Sequence, residues 1–149
     1  MHQTGVLDFE TIKQRYAASD ISHEVTPFID DVASAYAKAN LIISRSGAGI
    51  LEFAFAAKPA ILVPYPYAAD DHQYHNALSF EQAGAAALIR DAEFDSDRCV
   101  KEIVRIASDS EVRKTMSKAM RSLRKAHAAK EIAIGTIGLA KGNESFIAN

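Results

Sequence analysis

The stretch Leu41–Asn76, LIISRSGAGILEFAFAAKPAILVPYPYAADDHQYHN, decides the fold. Leu41, Ile42 and Ile43 form an apolar run that ends in a glycine-containing turn, Arg45–Gly49. The pattern predicts a short helix over Ile50–Ala57 and a second strand over Ala60–Val63, followed by a loop holding Pro64, Pro66 and Asp70. Together these make a strand, turn, helix, strand unit, the repeating element of an open α/β sheet. Ligands of such sheets bind beyond the carboxyl ends of the strands, where turn amides and helix N-termini point. The loops after Ser44 and after Val63 both belong on that edge.

Towards the amino terminus, Val32, Ala35, Tyr36 and Ala39 mark one face of a helix beginning near Asp30 or Asp31, whose carboxylates suit its first turn. Ser22–Phe28 alternates and reads as a strand, with Pro27 near its end. Phe9, Ile12 and Tyr16 recur at helical spacing over Asp8–Ala18, with Asp8 as N-cap, and Met1–Gly5 reads as the tail of something rather than its start. Towards the carboxyl terminus, a helix over Asp71–Gln82 is stopped by Gly84, and Ala86–Ile89 is the last strand. Ser96–Ala107 and Ser110–His127 read as helices, Ala128–Ala140 as a final one and Gly142–Asn149 as a frayed tail, so the domain is expected over 1–141. Four short apolar strands alternating with helices indicate a doubly wound, Rossmann-like parallel sheet with right-handed crossovers.

A chain of 149 residues suits one domain, with a core that buries about 70% of the unfolded surface. Hydrophobic content of 48% and charged content of 24% exclude a disordered chain. A net charge of -2 gives no footprint for nucleic acid. The single Cys99 excludes an internal disulfide and a multi-cysteine zinc site, and reads as a small buried helix residue. No apolar run approaches the ~20 residues that span a bilayer, and no signal-peptide pattern opens the chain, so a cytoplasmic protein is expected.

Gly47 and Gly49 let the backbone approach a ligand closely, an anion such as a pyrophosphate among them; a tight turn without ligand is the plainer alternative. Glu52, in the first turn of the following helix, either complements the helix dipole or accepts hydrogen bonds from a ribose diol. Asp70, Asp71, His72, Gln73, His75 and Asn76 crowd one loop and helix start. They suit an N-capped solvated helix or a sugar site in which Gln73 and Asn76 share a face. A metal held by His72, His75 and Asp71 is the weakest reading, since no further ligand cluster accompanies them. The basic residues Arg113, Lys114, Lys118, Arg121, Arg124, Lys125 and Lys130 form either a solvated outer helix face or one that lies on anionic lipid.

The segments FIDDVASAYAKANLIISRSGAG, KPAILVPYPYAADDHQYHNA and EQAGAA, in this order, resemble the carboxyl-terminal domain of MurG-type N-acetylglucosaminyltransferases, glycosyltransferase family 28 of the two-domain GT-B class. The resemblance is strongest over Met1–Arg90. It implies the donor-binding half of an enzyme that moves N-acetylglucosamine from UDP-N-acetylglucosamine to a lipid-linked muramyl-pentapeptide, with no resident cofactor or metal in this domain. By position, Phe28 and Ile29 resemble the residues flanking the uracil, Ile29 through its backbone. Arg45, Ser46, Gly47, Ala48 and Gly49 match the nucleotide turn, Glu52 the glutamate on the ribose, and His72, Gln73 and Asn76 the polar residues reaching the sugar.

The chain departs from the pattern in three places. Glu52 stands seven positions after Arg45 where the family has eight, and one residue rotates a helix by about 100°. His2, Gln3, Thr4 and Gly5 match the end of the family domain's second strand, so the chain is expected to begin after its first two strands, with exposed sheet edges. The acceptor-binding amino-terminal domain has no counterpart here. A gene fragment or truncated product is therefore expected, inactive alone. The alternative is a donor-binding subunit that docks on a separate acceptor-binding chain and reaches the inner face of the membrane only through it.

Overall fold

A computed structural model describes residues 1–141; the tail expected over 142–149 lies outside them. Among the described residues, five strands and seven α-helices follow one another, alternating as far as β5. They are β1 (His2–Gln3), α1 (Phe9–Ala17), β2 (Val25–Thr26), α2 (Val32–Lys38), β3 (Ile42–Ser44), α3 (Ile50–Ala56), β4 (Ala60–Leu62), α4 (His72–Gln82), β5 (Ala86–Leu88), α5 (Asp97–Ser108), α6 (Ser110–Ser122) and α7 (Ala128–Ala140). All pairing is parallel: β1 with β2, and β3 with β4 and β4 with β5 in register Ile43–Ile61–Ala87. The expected doubly wound parallel architecture is present.

The centre is β4, covered on both faces as parallel strands are. Ala60 and Leu62 point into a cluster with Ile50, Phe53 and Ala54 of α3, Ala77 and Phe80 of α4 and Met120 of α6. Ile61 and Val63 point the other way, onto Ile89, Cys99 and Ile106 of α5 and Met116 of α6. The period-two alternation of a strand thus splits one apolar run between two helical layers. Cys99 is a buried packing residue, its thiol pKa pushed up by that burial first and by nearby Asp95 second.

Four expectations need correction. Met1–Gly5, for which no strand was expected, holds one: His2 and Gln3 pair with Val25 and Thr26, the His2 N–H donating to Glu24 O at 2.7 Å and the Thr4 N–H to Thr26 O at 3.0 Å. The two ribbons, β2-β1 and β3-β4-β5, are separate sheets. Asp8 occupies the N-cap position of α1 without a side-chain bond to it. The helix expected from Asp71 begins at His72, because Asp70 and Asp71 sit in the left-handed region at φ 51° and 50°. The helix expected over Ser110–His127 ends at Ser122, and His127 is the N-cap position of α7.

Gly84 does stop α4. At φ 73° it closes a Schellman motif in which the Gly84 N–H donates to Glu81 O and the Ala85 N–H to Phe80 O.

Candidate functional site

The turn after β3 and the start of α4 are joined by a buried clasp. Ser46, fully buried, donates from Oγ to Gln73 O at 2.7 Å, and Asn76 Nδ2 donates back to Ser46 O at 3.1 Å. The Gln73 side chain fixes the neighbouring loop, its Oε1 accepting from the Tyr65 N–H at 3.0 Å, while its Nε2 lies 3.9 Å from where a Cβ on Gly47 would stand. The two loops expected on one edge of the sheet are thus both bonded to the start of α4.

Within that turn the Ile50, Leu51 and Glu52 N–H groups donate back to Gly47, Ala48 and Gly49 carbonyls. The N–H groups of Gly47, Ala48 and Gly49 themselves meet no protein acceptor among the described residues. Neither glycine is demanded by the fold. Gly49 has φ -61°, and a Cβ there would meet nothing within 4 Å. Their smallness keeps this face of the turn bare, with successive donors available to an anion.

Arg45 turns the other way, across the ends of β4 and β5. Its Nη1 donates to Pro64 O at 3.2 Å, pairs with Asp91 Oδ1 at 2.5 Å, and the guanidinium stands 5.8 Å from the Tyr65 ring centre. Both charged groups are about half exposed, so the pair orients Arg45 more than it stabilises the chain.

Glu52 stands in the first turn of α3. It leans towards α2, where its Oε2 accepts from the Tyr36 hydroxyl at 3.0 Å, and it lines an apolar groove of about 630 Å³ with Val32, Ala33, Tyr36, Phe55 and Lys58. The Tyr36 pKa is pushed up to about 12, by burial first and by the Glu52 bond second. Asp31 caps the start of α2, its Oδ1 accepting from the Ser34 N–H at 3.0 Å; bonds to Ser34 hold its carboxyl below the usual range.

Immediately before that cap, Phe28 is 64% exposed and offers a bare ring face. The Ile29 N–H is taken by Gln3 Oε1 at 2.9 Å, so its carbonyl is the backbone group left for a ligand. His72 donates from Nδ1 to Ala69 O at 2.8 Å, which leaves Nε2 as its unengaged ring nitrogen.

Gln3, Tyr36, Tyr65 and Asp91 belong to this arrangement and were not singled out from the sequence. Their partners stand 26, 16, 8 and 46 positions away, beyond any local pattern. Among the described residues, no group of three His, Cys, Asp or Glu is placed to hold a metal, and no helix is long and apolar enough to cross a membrane.

Comparison with known proteins places the chain. Its residues 1–132 match the model of the Glycosyltransferase family 28 C-terminal domain. It is 46% identical over 133 residues to the UDP-N-acetylglucosamine--N-acetylmuramyl-(pentapeptide) pyrophosphoryl-undecaprenol N-acetylglucosamine transferase of Solibacter usitatus, covering 89% of this chain and 36% of that one. The Myxococcus xanthus protein of the same name is 40% identical, with 89% and 35% covered. The crystal structure of Acinetobacter baumannii MurG superposes with a TM-score of 0.79 at 30% identity, over 88% of this chain and 38% of that one. The chain thus spans little more than a third of these relatives. On the family match and the shared fold together, it belongs to glycosyltransferase family 28 and carries that family's carboxyl-terminal domain.

Proposed function

We infer that this chain binds UDP-N-acetylglucosamine as the donor half of the transferase that adds N-acetylglucosamine to a lipid-linked muramyl-pentapeptide in peptidoglycan synthesis. The observation that carries the reading is the clasped turn: three successive amides, Gly47 to Gly49, without acceptors among the described residues, held against the start of α4 by Ser46 and Asn76. Those amides receive the diphosphate. The exposed ring of Phe28 stacks on the uracil, and the Ile29 carbonyl accepts from it. Glu52 takes the ribose hydroxyls with the oxygen that Tyr36 does not use, and His72 Nε2 and Gln73 Nε2 face the sugar. Ser46 and Asn76 act by positioning, since their polar atoms are engaged with the protein.

Transfer itself needs more. The acceptor hydroxyl attacks the anomeric carbon, the bond to the diphosphate breaks, UDP leaves with the electron pair, and the hydroxyl proton passes to a base. Neither an acceptor site nor that base is proposed among the described residues. The leaving diphosphate is met here by preorganised backbone dipoles.

Titration calorimetry with UDP-N-acetylglucosamine tests the reading. A saturable heat, weaker for UDP and absent for ADP, is expected. No heat at millimolar ligand from a chain shown to be folded by circular dichroism overturns it.

A further inference from the structure

The backbone leaving β2 is held at one peptide unit from two sides. Thr26 stands before Pro27, which biases it to the extended conformation, and its Oγ1 donates to Phe28 O at 2.6 Å. The N–H of that same peptide, on Ile29, donates to Gln3 Oε1 at 2.9 Å. Both polar atoms of the planar Phe28–Ile29 peptide are therefore engaged. That fixes the points from which the exposed Phe28 ring and the Ile29 carbonyl leave the chain. Gln3 reaches this peptide because β1 pairs with β2 in the register Gln3 to Thr26. An N–H demands an acceptor, so the amide oxygen of Gln3 is turned to Ile29 and its nitrogen is the end left over. The residue is exposed, and among the described residues that nitrogen meets no acceptor. The Ile29 carbonyl, likewise, accepts from no backbone N–H there. A donor and an acceptor thus stand free on either side of one ordered peptide.

We propose that Gln3 sets the choice of base: its Nε2 donates to O4 of the uracil whose N3–H donates to the Ile29 carbonyl. This rests on the donor reading above, in which Phe28 and Ile29 hold the base. The edge of uracil runs acceptor, donor, acceptor through O2, N3–H and O4, and the Ile29 carbonyl with the Gln3 amide nitrogen is its complement. O4 is the partner because O2 stands next to the ribose bond, on the side held by Glu52. The same pair meets cytosine with the wrong polarity. There N3 is a bare acceptor against a carbonyl, and the exocyclic amino group a donor against a donor. Sliding along the edge would recover both bonds, but stacking on Phe28 and the ribose on Glu52 oppose it. Such a site discriminates strongly because the wrong base leaves its polar groups unpaired. Glutamine suits the place because both ends of its amide are used, one ordering the Ile29 peptide and the other meeting the base. Glutamate would keep the first bond and invert the second.

Calorimetry on the whole 149-residue chain with UDP and CDP, which carry the same diphosphate, tests it. The wild-type chain is expected to bind UDP about tenfold or more tightly than CDP, the discrimination of one well-placed hydrogen-bonded pair. In Gln3→Glu the carboxylate accepts from the Ile29 N–H and from the cytosine amino group, so the UDP-to-CDP affinity ratio should fall by about tenfold or more. The added charge weakens both nucleotides alike and leaves that ratio alone. Gln3→Ala should lower the ratio by a smaller factor. A further measurement needs no variant: the side-chain amide resonance of Gln3 in the wild-type chain should shift on saturation with UDP and move less with CDP. Equal affinity of the wild-type chain for both nucleotides overturns the proposal. So does a ratio unchanged in both variants, which gives Gln3 a purely structural part at Ile29, or a Gln3 amide that UDP leaves unmoved. In each of these the donor reading stands. No UDP heat from the folded wild-type chain removes the donor reading and this proposal together.

Discussion

Glu52 and Tyr36 form a pair whose behaviour with pH can be worked out. The tyrosine titrates at about 12 in the folded chain against 10 when unperturbed, so its neutral form is favoured by folding. A raised pKa contributes stability that is whole below pH 10 and is lost as pH rises through about 12. Tyr36→Phe should cost about 1 kcal/mol at neutral pH, the ordinary value of such a bond, and should flatten the alkaline loss across that window. Urea unfolding on both sides of pH 10 measures it; identical pH profiles would remove the bond from the account. Gln73 is read at the same scale. Its Oε1 holds the Tyr65 N–H and its Nε2 faces the turn. Gln73→Ala should therefore lower affinity for UDP-N-acetylglucosamine towards that for UDP, leaving UDP itself less affected. Calorimetry with the two ligands separates a lost sugar contact, which spares UDP, from a disordered loop, which weakens both.

At the scale of elements, side chains from distant segments finish what helices cannot finish alone. The last carbonyls of α3 have no partner within it. Arg124 supplies one, donating from Nε to Ala54 O at 3.0 Å and from its second nitrogen to Phe55 O. Arg113 does the same for α5, donating to Ile106 O at 3.0 Å and to Ala107 O. Two members of the basic stretch are thus C-caps rather than surface charge. Arg124→Ala should destabilise by about 1–2 kcal/mol, where the fully outward Lys118→Ala should change stability by less than about 0.5 kcal/mol. Ser46→Ala removes the buried bond between turn and α4 and should cost about 1–3 kcal/mol; thermal unfolding of the three variants ranks them. The order of strands and helices around Leu41–Asn76 was legible because apolar runs of strand length alternate with turn signals. The strand β1 was not, since His2 and Gln3 are polar, exposed and strand-like only through pairing with Val25 and Thr26. The glycine turn, Glu52 and Gln73 stood out as candidates by type and place, and the structure brings the turn and the start of α4 together. The direction of Glu52 was not, because it depends on a hydroxyl sixteen residues earlier on another helix.

Across the molecule, stability is unevenly spread, and the distribution follows from burial. Ile61 and Leu62 of β4 are wholly buried, with a helical layer on each face. Their amides open only when both layers separate, which approaches global unfolding. At the other extreme, β1 and α1 bury no residue, and their ribbon is held to the rest by few apolar contacts. Native-state hydrogen exchange should therefore show Leu62 among the slowest amides, while His2 and Thr4, although bonded to β2, exchange by local opening at a free energy at least about 2 kcal/mol lower. Increasing urea should leave the opening of His2 and Thr4 nearly unchanged while that of Leu62 falls with the full unfolding slope. Ile61→Ala, which empties the centre of one layer, should lower the Leu62 barrier by about 2–5 kcal/mol and leave the His2 and Thr4 rates where they were. If the ribbon amides slow to the Leu62 rate, the two sheets are one cooperative unit in solution.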